Sequence, residues 1–278
     1  MRKFFEADPM EDKAGTGVKT GYCINCSQEV NTPYCSQCGQ PFPPQRMSIG
    51  HVFADFQGRP YGTRGLFWRT IKDLTLKPGE VVRSYVMGNR VLYNRPIGYF
   101  FLMITLMLIT ASLLNVDYVE FLKGSSPPIQ STGTDQEKFN RFIFQFISDH
   151  IKLLSFIVIP FQALVARYFF FRKSGYSYLD HTVLPFYIEG HLNILMMISI
   201  LIFKITAWQI PFWVMSLLSP VYFAFAYMGF ITHQSKVKSF LKGAGIFIVA
   251  QFLIAILSVI GGVIYIINHP EVIEQFKK

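Results

Sequence analysis

Apolar residues are concentrated after Pro96, where they form five long stretches. A helix that crosses a membrane needs about 20 consecutive, mostly apolar residues to span about 30 Å of hydrocarbon. Five stretches meet this requirement, and they are 96–115, 151–171, 184–207, 210–231 and 245–267. The pattern predicts an all-α membrane protein in which residues 96–278 form a five-helix transmembrane bundle. A soluble protein is disfavoured, because a soluble core of this size would not contain five such stretches.

The more polar residues 1–95 divide into three segments. Residues 1–20 carry mixed charges and small residues, which is typical of a flexible tail. Residues 21–41 contain all four cysteines, and residues 42–95 begin as a Pro-rich linker. Within 42–95, apolar residues at helical spacing predict two short amphipathic helices, one after Gly65 and one from Pro78 to Gly88. These basic, aromatic helices suit the headgroup plane of a membrane, or they pack over the ends of the bundle.

The four cysteines form two Cys-x-x-Cys pairs, separated by eight residues: Cys23, Cys26, Cys35 and Cys38. Each pair can present two thiolates from one tight turn, and a tetrahedral shell of four sulfurs favours zinc. The spacing predicts a small zinc ribbon with one structural zinc ion. An iron site and a redox dithiol are the alternatives. A closed four-thiolate shell leaves no open position for substrate, so catalysis at this metal is not expected.

Composition and charge support a membrane location. The chain has 278 residues, of which 51% are hydrophobic and 15% are charged, against about 25% charged in an ordinary soluble domain. The formal net charge is +9. If the N-terminus is inside, the inside segments carry 18 Lys and Arg residues and the outside segments carry 5. Because inside loops are enriched in Lys and Arg, this bias predicts a cytoplasmic N-terminus and an outside C-terminus.

The N-terminal residues do not resemble a secretory signal, because no apolar segment of the required length follows the basic start. Residues 1–95 are therefore expected to stay in the cytoplasm. The positive net charge is then explained by the excess of Lys and Arg in the inside segments, which sets the orientation in the membrane, and by attraction to anionic lipid. Nucleic-acid binding is not expected, since residues 20–40 contain no Lys or Arg at all.

Several short motifs within residues 1–95 resemble an uncharacterised bacterial family of multi-pass membrane proteins with an N-terminal zinc ribbon. The motifs that carry the resemblance are Tyr34-Cys35-x-x-Cys38-Gly39-Gln40, Gly65-Leu66-Phe67-x-Arg69-Thr70 and Pro78-Gly79-Glu80-Val81-Val82-x-x-Tyr85-x-x-Gly88-x-Arg90. The resemblance implies a location in the bacterial inner membrane and a metal-bound head. It implies no activity, because the family is one of unknown function.

Polar residues inside the spans are candidates for function, because they are costly in hydrocarbon. Arg167 in the second span, with Glu189 and His191 in the third, forms the candidate intramembrane site. A short inside turn joins the two spans, so Arg167 and Glu189 are expected at similar depth on antiparallel neighbours. An ion pair between them is the expected arrangement, with an architectural role. His191 is expected to make a contact between helices or to contribute to the same site.

The sequence favours a membrane scaffold or adaptor whose cytoplasmic zinc ribbon binds a partner protein. The first alternative is a channel or transport component that uses the polar residues of the second and third spans. The second is an intramembrane enzyme, which is disfavoured because the usual catalytic motifs are absent from the sequence. The lipid bilayer and a cytoplasmic protein are the expected partners, and a homo-oligomer is compatible with the sequence.

Overall fold

The computed structural model describes residues 20–45, 48, 50, 65–117, 121, 156–208, 210 and 212–268. The expected flexible tail, part of the linker, the first residues of the second span and most of the 116–150 loop lie outside the described residues. Within the described residues the protein has a small two-stranded head, formed by residues 20–45, and seven helices.

The head is built around a very short antiparallel hairpin. Strand β1 (Gly21–Tyr22) pairs with β2 (Glu29–Val30), with Gly21 opposite Val30 and Tyr22 opposite Glu29. A second, isolated bridge joins Tyr34 to Pro41. The small core of this head contains Val30, Phe42 and the cysteine side chains.

Two short helices follow, α1 (Leu66–Leu76) and α2 (Pro78–Val86). Their positions confirm the helices predicted after Gly65 and from Pro78. Pro78 occupies the first turn of α2, where its missing N–H costs nothing, and Glu80 lies near the positive end of the helix dipole. Gly88 ends this segment with a φ of 101°, a conformation that glycine adopts without strain.

Five apolar helices make up the rest of the described chain. They are α3 (Pro96–Leu113), α4 (Phe156–Phe170, with a final π-helical turn at Ala166–Phe170), α5 (Tyr178–Thr206), α6 (Phe212–Phe230) and α7 (Lys236–Asn268). Among the described residues, three segments are long and apolar enough to cross a membrane, namely Pro96–Leu113, Tyr178–Thr206 and Lys236–Ile256. The described parts of α4 and α6 are shorter apolar helices.

Two helices begin earlier than the apolar pattern predicts. Helix α5 begins at Tyr178 rather than at 184, because Ser177 and Asp180 form a reciprocal capping box that satisfies the free amides of its first turn. Helix α7 begins at Lys236 rather than at 245. The segments that join the second span to the third and the fourth span to the fifth are therefore partly helical.

Helix α2 is inserted into the bundle. It packs against α5 and α6, while α3 packs along α5 and α6 packs along α7. Gly79 of α2 lies directly against Gly229 of α6, and a Cβ at Gly79 would be 2.3 Å from the carbonyl oxygen of Ala226. Val81, Val82 and Tyr85 are fully buried in the main core. Of the two expected placements for the amphipathic helices, the structure shows α2 packed into the bundle.

Candidate metal centre and intramembrane polar groups

The two Cys-x-x-Cys pairs fold into two turns with the same hydrogen bonds. In the first turn, the amide of Cys23 donates to the carbonyl of Gln28 (2.8 Å), and the amide of Ser27 donates to the carbonyl of Cys23 (2.9 Å). In the second turn, the amide of Cys35 donates to the carbonyl of Gln40, and the amide of Gly39 donates to the carbonyl of Cys35, both at 2.8 Å. The backbone alone therefore gives both pairs the same conformation.

The residue after each pair adopts a left-handed conformation. Gly39 has a φ of 73°, a conformation that glycine adopts without strain, and Ser27 has a φ of 58° at the matching position of the first turn. Serine rarely adopts this conformation, so the first turn is the more strained of the two.

The four cysteine sulfurs converge on one point. All four lie within 4.8 Å of one another, and the Cys23–Cys38 and Cys26–Cys35 sulfur pairs are each 3.5 Å apart. Four sulfurs held about 2.3 Å from one ion in a tetrahedron are separated by about 3.8 Å. The geometry therefore fits one metal ion, and the four cysteines are the residues that would hold it.

The protein environment makes the four thiols unequal. Burial of Cys35 raises its pKa, but the amides of Cys38 and Gln37 outweigh burial and lower the pKa to about 7. The amide of Gln28 lowers the pKa of Cys26, but burial and the three neighbouring thiols raise it to about 12. Cys35 therefore ionises more readily than Cys26, and metal binding must displace a proton from Cys26.

Gln40 attaches the cysteine turns to the helical part of the protein. Its side-chain amide donates to the carbonyl of Gly88 (2.6 Å), and its side-chain oxygen accepts from the amide of Arg90 (3.0 Å). Gln40 is 2% exposed, so both bonds are shielded from water. The side chain of Asn89 donates to that of Asn25 at 3.3 Å and adds a further contact. Sequence reasoning used Gln40 only as part of a motif and missed this role.

Three apolar side chains of the head are exposed. The exposed fractions are 69% for Tyr22, 44% for Ile24 and 62% for Tyr34. None of the three takes part in the hydrogen bonds between the head and the helices. An aromatic side chain of this exposure in so small a domain offers contact area to another molecule.

His191 joins four helices. Its Nδ1 lies 2.9 Å from the hydroxyl of Tyr99 on α3, and its Nε2 lies 3.1 Å from the hydroxyl of Thr75 on α1. The ring of Tyr222 on α6 lies 5.7 Å from the imidazole, and the Tyr222 hydroxyl donates to the carbonyl of Leu74. His191 therefore holds α1 against α3, α5 and α6, which is the helix-contact role considered from the sequence.

The expected ion pair between Arg167 and Glu189 is not formed. The guanidinium of Arg167 donates to the carbonyl of Arg172 at 2.7 Å, because the π-helical turn that contains Arg167 brings it toward the following loop. Glu189 instead accepts a hydrogen bond of 2.7 Å from the side-chain amide of Gln162 on α4. The α4 side chain that contacts Glu189 is therefore Gln162 and not Arg167.

Comparison with known proteins locates the recognisable part of the chain in the helices rather than in the cysteine turns. No curated protein and no solved structure matches the chain. A family model described as "Protein of unknown function (DUF3667)" matches residues 64–108, which cover α1, α2 and most of α3. This match confirms the resemblance to an uncharacterised family over the segment that inserts α2 into the bundle.

Proposed function

We propose that the protein is a membrane-embedded adaptor whose zinc-bound head binds a partner protein. The observation that supports this proposal is the arrangement of the head. Gln40 fixes the cysteine turns to the α2–α3 turn, while Tyr22, Ile24 and Tyr34 are left exposed. A head held at a fixed position with exposed aromatic side chains has the features of a recognition surface.

The proposed metal is zinc. Four thiolates are soft ligands in tetrahedral positions, a set that zinc favours over harder divalent cations. A head with so few core residues needs the free energy of metal binding to fold. Zinc would then support the shape of the recognition surface without taking part in a reaction.

The proposed location is the bacterial inner membrane, with the head in the cytoplasm. The charge bias supports this orientation, and the head is attached to the turn that precedes α3, next to Arg90. Reporter fusions at residue 30 and in the 232–244 segment should report the inside, and fusions at residue 130 and at the C-terminus the outside. An inside C-terminus would reverse the proposed topology.

Co-purification tests the adaptor function. The full chain is isolated from its native membrane beside a Tyr22→Ser, Tyr34→Ser variant and a Gln37→Ser control, since Gln37 is exposed in the same head and polar. We expect one soluble protein in constant ratio to the chain, retained by the control and lost from the aromatic variant. The variant must keep its metal for the comparison to count. Equal recovery of that protein with all three chains would contradict the proposal.

Transport is the second candidate, because Glu189 is a carboxylic acid inside a candidate span with no cationic partner among the described residues. Such residues often mark ion or proton pathways in membrane proteins. Flux of ions across liposomes containing the protein, lost in Glu189→Ala, would favour transport over the adaptor function.

A further inference from the structure

Glu189 and Gln162 make a polar contact between two apolar helices. The side-chain amide of Gln162 on α4 donates to one oxygen of the Glu189 carboxyl group on α5 at 2.7 Å. Gln162 is fully buried. The side chain of Asn193 does not reach this carboxyl group, because it donates to the backbone carbonyl of Glu189 at 2.9 Å.

The surroundings of this contact are apolar. Residues three apart on a helix share a face, so Phe186 lies beside Glu189 and Ile159 lies beside Gln162. Phe186 and Ile159 belong to one buried cluster with Ile97 and Phe100. Gly190, the next residue on α5, packs against the backbone of Phe100.

No charged side chain among the described residues balances the carboxyl group. On α4, Arg167 donates to the carbonyl of Arg172. On α5, His191 is held by Thr75 and Tyr99, and Asp180 belongs to the capping box of the first turn. On α3, the titratable group that faces α5 is Tyr99, which is already bonded to His191. An ionised carboxylate at this position would therefore be uncompensated in an apolar environment, which costs several kcal/mol.

The hydrogen-bonding capacity of Gln162 is only half used. Its Nε2 donates to Glu189, but its buried Oε1 has no hydrogen-bond partner among the described residues. An ionised carboxylate can only accept, so it cannot satisfy this oxygen. A protonated carboxylic acid offers one acceptor and one donor, which are the two groups that a primary amide complements.

We propose that Glu189 and Gln162 form a neutral acid–amide pair, and that Glu189 is a proton-binding site inside the helix bundle at neutral pH. The acid O–H donates to Oε1 of Gln162 while the amide N–H donates to the acid carbonyl. The pair explains both the missing cation and the unused amide oxygen. This inference goes beyond the adaptor function and does not depend on the head.

Labelling with the apolar reagent dicyclohexylcarbodiimide tests the proposal on the unmodified full chain. The acid proton passes to a carbodiimide nitrogen while a carboxyl oxygen bonds to the central carbon, and the adduct rearranges to a stable acylurea. An ionised carboxylate lacks the required proton. In proteoliposomes at neutral pH we expect an adduct on the peptide that contains Glu189, decreasing as the pH is raised. Glu80, which is exposed and paired with Lys77, should remain unlabelled.

Infrared spectroscopy provides a second readout. A protonated carboxyl group has a C=O stretching band above the amide bands. We expect this band at neutral pH, absent in Glu189→Gln and unchanged in the matched control Glu80→Gln. In Gln162→Leu the band should move to higher frequency, because the carbonyl loses its hydrogen bond.

Three results would overturn the proposal. The first is the absence of an adduct on Glu189 in protein that retains its helical content. The second is protection of Glu189 from labelling by sodium or potassium at constant pH, which would show an ionised carboxylate that holds a cation. The third is an unshifted band in Gln162→Leu, which would show that the amide is not the partner. Because labelling can be repeated on a chain without its metal-binding cysteines, failure here is separable from failure of the adaptor function.

Discussion

The cysteine turns and the His191 contacts are both places where polar side chains hold separate backbone segments together, but they are built differently. The four cysteines lie within 16 residues of sequence, and each turn is closed by hydrogen bonds between neighbours. His191 bonds to Tyr99 and Thr75, which are 92 and 116 residues away. The first site is specified locally, and the second exists only when four helices have packed.

This difference predicts different responses to mutation. Removing a ligand from a local site should unfold the head and leave the helices intact. Removing a packing contact between helices should destabilise the bundle and leave metal binding intact. Replacing Gln40, which connects the head to the α2–α3 turn, should weaken that attachment without removing the metal or destabilising the bundle.

The largest effect is expected from replacing Cys35 and Cys38 by serine. The chain should lose the proposed zinc ion, because two neutral hydroxyls cannot replace two thiolates. The head should then lose the roughly 10–16 kcal/mol that such sites gain from metal. Metal analysis of purified protein measures the loss, and circular dichroism should show unchanged helical content. Iron in the unmodified protein, or no metal in a reduced preparation, would disprove the structural zinc site.

Gly79→Ala should give the next largest effect, and it should be confined to the bundle. The added Cβ would lie 2.3 Å from the carbonyl oxygen of Ala226 and 2.4 Å from the backbone of Gly229. Because backbone atoms cannot move aside, we expect a loss of about 3 kcal/mol in unfolding free energy, measured by thermal or denaturant unfolding in detergent.

Gly39→Ala is the matched control for Gly79→Ala. No atom lies within 4 Å of a Cβ at Gly39, so only the left-handed backbone opposes the change, at a cost of about 1–2 kcal/mol. This variant should weaken the head and leave the unfolding of the bundle unchanged. Equal effects of the two variants on the bundle would show that the head and the bundle unfold as one unit.

Gln40→Ala should detach the head without removing its metal. The change removes two buried hydrogen bonds and leaves the carbonyl of Gly88 unpaired, which costs about 1–3 kcal/mol. Hydrogen exchange at residues 85–92 should become faster while metal content stays at one ion per chain. Gln37→Ala, at an exposed position in the same turn, is the control and should change neither measurement. Loss of metal in Gln40→Ala would show that the docked position is needed to form the metal site.

The smallest effect is expected for coupling between Arg167 and Glu189. Since Arg167 bonds to Arg172 and Glu189 bonds to Gln162, the effects of the two alanine substitutions on stability should add to within about 0.5 kcal/mol. A double-mutant cycle in detergent measures this coupling. A larger coupling would indicate the ion pair that the sequence predicted. A second cycle on Gln162 and Glu189 should show clear coupling.

The sequence by itself determined the features that depend on neighbours in the chain. The spacing of Cys23, Cys26, Cys35 and Cys38 predicted their convergence, because two tight turns eight residues apart can meet without help from the rest of the protein. Pro78 and Gly88 marked the limits of α2 for the same reason, since proline and glycine act on the backbone locally. The apolar stretch at 96–115 likewise gave α3 nearly to its ends.

Only the tertiary structure decided which polar side chains meet. Arg167 and Glu189 were matched by counting residues from the inside ends of two spans, but counting along each helix does not give the side-chain contacts between α4 and α5. Gln162 reached Glu189, and Arg167 turned to the loop. The insertion of α2 against Gly229 and the attachment of the head through Gln40 also depend on contacts between segments far apart in sequence, which spacing along one segment does not encode.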